Sequence, residues 1–144
     1  KSLHLIHLLF PFSILLMATS NYWFPLVFTE AFTESVIIFD TYLLIIVSRL
    51  IFSRTVLISL QDNKTVLYIS VVELMVNVLL SFVLIVPLGL LGVAIATLLA
   101  FSLEKGMLCW YLWYRHGVSP RRYLAVRWWA FYTVSITILF LLKS

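Results

Sequence analysis

In the stretch "FSLEKGML", residues 101–108, two opposite full charges, Glu104 and Lys105, stand side by side within an apolar run that spans 88–114. Helical neighbours point about 100° apart, so the pair cannot simply neutralise face to face, and each charge needs its own partner or its own way out. A lysine stem can snorkel to an interface, whereas the shorter glutamate must find a donor or take up a proton. Three more groups share this problem: Arg49 near the middle of the run 36–60, and Glu73 and Asn77, which continue through Ser81 at i, i+4, i+8 on one side of a helix. Buried cations facing carboxylates and amides can receive an anionic head group or hold and release charge; the same residues can also form a buried ion pair that only fixes packing. Catalysis has one candidate, His4-x-x-His7, and with no carboxylate or cysteine clustered beside it the pair reads as interfacial packing. The sequence assigns no catalytic residue, metal ligand or cofactor.

The elements that carry these residues follow from composition. The 144 residues are 63% hydrophobic and only 11% charged, with mean hydropathy +1.10, against about 45–50% and 25% in an average soluble domain. Several runs reach the roughly 18 apolar residues needed to cross a hydrocarbon core of about 30 Å, and they are too continuous to alternate as barrel strands. Helices are then the spanning form, because each satisfies its own backbone polar groups. The fold class expected is all-α, a polytopic transmembrane helix bundle. The first apolar stretch lacks a signal-peptide cleavage site and the chain starts at Lys1 without methionine, so it reads as a piece of a longer protein. One cysteine, Cys109, excludes an intrachain disulfide and a thiolate metal cluster. The net charge of +4 suits an anionic inner leaflet better than nucleic acid in so apolar a chain.

Five spans are expected, over about 3–24, 36–60, 65–86, 90–114 and 125–142. Pro11 marks a kink in the first, and "VFTEAFTES", "QDNK", "PLG" and "RHGVSPRR" supply the connections. Lys1, Lys64, Arg115, Arg121, Arg122 and Arg127 fall on one side, while the first loop carries Glu30 and Glu34 and neither it nor the third has any Lys or Arg. By the positive-inside rule the basic side is cytoplasmic; Lys143 alone sits at an outer end.

Depth then separates the charges. The aromatics Trp110, Tyr111, Trp113 and Tyr114 place the cytoplasmic interface near Trp110, which leaves Lys105 about 7 Å inside it. Lys105 and Arg54 are therefore expected as interfacial anchors, with Trp110 and Trp113 beside them, while Glu104 faces the bundle. Asp40 lies near the outer end of its span and is open to water or to burial. Arg49 is about 14 Å from the cytoplasmic end, where an arginine costs at least about 2.5–3.5 kcal/mol, so it faces protein or water. Folding the second and third spans about "QDNK" brings it level with Glu73. Gly92, Ala96 and Ala100 recur every four residues, with Gly89 and Thr97 nearby, a small-residue surface for close helix contact.

The segment "PLGLLGVAIATLLA", 87–100, resembles the Pro/Gly turn and G-x-x-G-A-A-x-A-T helix of MOP-superfamily exporters. "VFTEAFTES" is similar to their F-G-x-x-F-x-x-S stretch, and 53–85 to their helix, polar turn and helix with a central Asn. The subgroup most resembled is the polysaccharide or O-antigen flippases. That resemblance implies most of the second lobe of a two-lobed transporter in a bacterial or archaeal cytoplasmic membrane. Its partners would be a lipid-linked oligosaccharide, membrane lipids and its own N-terminal lobe. Arg49, Glu73, Asn77 and Glu104 would be the substrate-path candidates. The alternatives are a multidrug exporter of the same superfamily, a membrane glycan-processing enzyme and a cargo-free scaffold.

Overall fold

The computed structural model describes residues 2–29, 32 and 35–144, without the side chains of Ser2 and Ser48. Lys1, Glu30 and Glu34, which entered the charge argument above, lie outside the described residues. The described residues are helical throughout their regular structure: α1 (Ser2–Val27), α2 (Ser35–Arg49), α3 (Ser53–Ser59), α4 (Asn63–Leu88), α5 (Leu90–His116) and α6 (Val126–Lys143), with a short 3-10 turn at Pro120–Arg122. The chain is an all-α polytopic bundle. Among the described residues four helices, α1, α4, α5 and α6, are long and apolar enough to cross a membrane.

The expected second span departs from a single helix. It is α2, of 15 residues, and α3, of seven, separated by an unwound step at Leu50 to Phe52. At 1.5 Å per residue α2 alone reaches only about 22 Å, short of a bilayer core. No proline or glycine stands at the break. Leu50 N still donates to Ile46 O at 3.0 Å, but the next carbonyl, Val47 O, accepts from the indole Nε1 of Trp129 on α6 at 2.8 Å. A side chain that takes over a ladder carbonyl is a recognised cause of such a break. Conversely α1 runs through Pro11 and Pro25 as one helix.

Core packing forms two groups. Ile6, Phe10 and Met17 of α1 meet Leu44 of α2 and Ile136 of α6, with Leu50 and Leu124. Leu57 of α3 packs with Leu108 and Leu112 of α5. The α4–α5 hairpin turns at Gly89, whose φ of 59° is a backbone conformation glycine adopts without strain. Gly89 is thus a turn residue, not the helix-packing residue expected from the stripe, since a Cβ there would meet nothing within 4 Å. Gly92 is different: a Cβ on it would lie 2.1 Å from the backbone oxygen of Leu84. Ala96 and Ala100 are fully buried on the same helix. Asp62 ties the start of α4 to the end of α5. Asp62 caps α4 by accepting from Thr65 N at 3.4 Å, and its Oδ2 accepts from Tyr111 Oη at 2.9 Å with His116 Nε2 at 3.4 Å. Thr65 and then Tyr111 hold the Asp62 carboxyl below its usual range.

Candidate functional site

Four charged side chains from α2, α3 and α5 gather around the unwound step. Arg49 ends α2, where a cation complements the helix C-terminus. Its guanidinium carbon lies 4.6 Å from the centroid of the Phe101 ring on α5, a cation–π contact worth about 0.5–1 kcal/mol at an exposed site. Arg49 itself is exposed, and among the described residues it forms no ion pair with Glu73. The depth argument assumed one continuous helix from 36 to 60; with the break at Leu50, Arg49 lies within electrostatic reach of Glu73 without contacting it.

Glu104 takes its partner from further along. Arg54 Nη2 donates to Glu104 Oε1 at 2.7 Å and to Ser70 Oγ of α4 at 2.5 Å, tying α3, α4 and α5 together. The carboxylate is 2% exposed and the Arg54 side chain 43% exposed, and both hydrogen bonds leave the same guanidinium nitrogen, Nη2. Arg54 Nε is buried without a partner. The anchor role expected for Arg54 is therefore replaced by a bridge between helices.

Lys105 also departs from its expectation. Its side chain is only 11% exposed and its Nζ lies 3.4 Å from Glu104 Oε2. The 100° rule governs Cβ directions; a four-carbon stem is long enough to swing back across that angle toward a buried carboxylate. Two cations thus share one carboxylate. Trp110 and Trp113, the expected aromatic anchors, are exposed near the end of the same helix.

On α4, Ser70, Glu73, Asn77 and Ser81 are half-buried along one face. Asn77 Oδ1 accepts from Ser81 Oγ at 3.4 Å and from Thr97 Oγ1 of α5 at 3.5 Å. These side chains edge a shallow cavity of about 390 Å³ with Val78, Val93 and Ile85. Ser70 was not singled out from the sequence, though it stands one turn before Glu73 on the same stripe.

A second polar centre lies between α1, α2 and α6. Asp40 is buried, accepting from Ser20 Oγ at 2.9 Å and from Lys143 Nζ at 2.7 Å. Lys143 also donates to Met17 O at 2.6 Å and to Ser20 Oγ. Of the two environments open to Asp40, burial is the one found; the sequence places Asp40 and Lys143 each near an outer end but does not pair them. His7 packs rather than reacts: its ring lies 4.8 Å from that of Trp128 and its Nδ1 3.0 Å from Tyr132 Oη.

Compared with known families, the chain matches the family model described as lipid II flippase MurJ over residues 3–144. Among curated proteins and among solved structures, nothing matches the chain.

Proposed function

Since the chain belongs to the lipid II flippase MurJ family, we propose that its charged cluster lines the route by which an anionic lipid-linked glycan crosses from the inner to the outer leaflet. A protein of this family is a membrane transporter of a lipid-linked substrate and not an enzyme. The cargo proposed is lipid II, in a bacterial cytoplasmic membrane, with an N-terminal lobe facing the surface described here. The motif resemblance to polysaccharide flippases supports a second reading, an O-antigen-type oligosaccharide on the same class of carrier.

The observation that carries the proposal is the exposed guanidinium of Arg49 at the broken end of α2, in no ion pair among the described residues, beside Arg54 and Lys105 on buried Glu104. A diphosphate head group cannot enter about 30 Å of hydrocarbon alone. Arg54, Lys105 and Arg49 offer cations at the place where the second span unwinds, and a planar guanidinium can grip phosphate through two parallel hydrogen bonds. Glu104 holds Arg54 and Lys105 in place before cargo arrives and releases one of them as the lobes rock. Glu73 and Asn77 line the continuation of the path along α4.

The test uses the full-length protein in vesicles loaded with lipid II in one set and with a polyprenyl-diphosphate-linked O-antigen unit in another, measuring exposure of the sugar on the far leaflet. Arg49 is exposed and pairs with no carboxylate among the described residues, so Arg49→Met leaves no buried charge behind and should accumulate normally. It should lose transport, and Arg49→Lys should keep part of it because a point charge replaces a fork. Wild-type transport by Arg49→Met and by Arg54→Gln would return both residues to a packing role. Transport of the O-antigen unit alone would select the second reading.

A further inference from the structure

A cavity lies away from this cluster, at the start of α6. It holds about 820 Å³ and is lined by Arg121, Leu124, Val126, Arg127, Trp128 and Phe131. Its wall has two chemistries. Arg121 comes from the 3-10 turn and Arg127 from the first turn of α6, both exposed. Trp128 and Phe131 present exposed rings set edge to face, 6.4 Å apart, and Trp128 is braced from behind by His7.

The charge balance around this groove is one-sided. All six acidic residues of the sequence lie at or before Glu104, so nothing from 105 to 144 can neutralise it locally. Among the described residues neither Arg121 nor Arg127 takes part in an ion pair. An occupant must therefore bring negative charge to one end and apolar surface to the other. A free phosphate would leave the aromatic wall unused, and a zwitterionic lipid would offset only part of the charge. The basic loop that carries Arg121 is the one assigned to the cytoplasmic side, where anionic lipids give a negative surface potential worth about 1 kcal/mol per nearby cation.

We infer that this groove holds an anionic phospholipid of the cytoplasmic leaflet, its phosphate between Arg121 and Arg127 and an acyl chain along Trp128 and Phe131. The site is separate from the cargo route and would be filled with no cargo present. Bound there, the lipid fixes the start of α6, the helix whose Trp129 caps the broken end of α2.

Native mass spectrometry of the full-length protein, without cargo, titrated with phosphatidylglycerol or phosphatidylcholine of matched acyl chains, tests this directly. Phosphatidylglycerol should bind in preference, and Arg121→Gln/Arg127→Gln should lower its bound fraction at least fivefold while leaving phosphatidylcholine unchanged. Arg115→Gln, outside the groove, should behave as wild type. Both arginines are exposed, so the double variant should melt as wild type does; if it does not, the two single variants are read by the same criterion. A photoreactive side chain replacing Trp128 in membranes should crosslink to lipid. Undiminished phosphatidylglycerol binding by the double variant, an equal loss in Arg115→Gln, or crosslinking of position 128 to a protein segment or a second copy would each overturn the assignment.

Discussion

Gly92→Ala should open the α4–α5 hairpin, and the size of the effect follows from which atoms stand in the way. A Cβ at this position would lie 2.1 Å from Leu84 O, 2.5 Å from Leu84 C and 3.1 Å from Ile85 N, all of them backbone. Close carbon–oxygen contacts settle at about 3.3–3.6 Å, so α4 and α5 must separate by roughly 1 Å or more, and no side-chain rotation can relieve the clash. Overpacking of this kind commonly costs about 1–3 kcal/mol. Against it stands the gain in helix propensity of alanine over glycine, about 1 kcal/mol in a helix interior, so the net expectation is destabilisation of up to about 2 kcal/mol. Gly106 on the same helix supplies the opposite case: a Cβ there meets nothing within 4 Å, and Gly106→Ala should stabilise by up to about 1 kcal/mol. Thermal melting of the full-length protein and both variants in one detergent, followed by size-exclusion of the heated samples, reads the two signs side by side. A Gly92→Ala protein that melts at or above the wild-type temperature would refute the close-contact reasoning, whatever Gly106→Ala does.

Single removal of either partner in the Asp40–Lys143 pair leaves a buried charge, so Asp40→Leu or Lys143→Met alone should cost about 3–5 kcal/mol, and the two together should melt close to wild type; an additive double variant would show that the two do not interact. For topology, an external membrane-impermeant thiol reagent should label Thr29→Cys and spare Asn63→Cys, and the reverse pattern would invert the orientation. Asp62 has a folded pKa held below its unfolded value near 3.9, so its contribution is present above that value and lost as pH falls through the folded one. Melting temperature should therefore drop less between pH 5 and about pH 3 in Asp62→Asn than in wild type, and parallel curves would remove Asp62 as a source of acid sensitivity.

The sequence by itself determined the quantities that run along a helix axis. Composition required helices because a bilayer offers the backbone no other donors or acceptors, and the positions of "QDNK" and Gly89 set where α4 and α5 begin. Depth was legible too, since rise per residue is constant: Glu104 could be placed too far inside to reach water by its own stem. What only the tertiary structure decided was rotation about those axes and the choice of neighbours. The break in the second span depends on Trp129, 82 residues away from the carbonyl it takes, and no local proline or glycine announces it. Once α2 ended at Arg49, that residue turned to Phe101 and Arg54 took the buried carboxylate 50 positions on. Asp40 found Lys143 across 103 residues in the same way. A charge in an apolar span declares that it needs a partner; which partner it gets depends on the helix that packs alongside, and that is fixed by side-chain fit over the whole bundle rather than by any spacing in the chain.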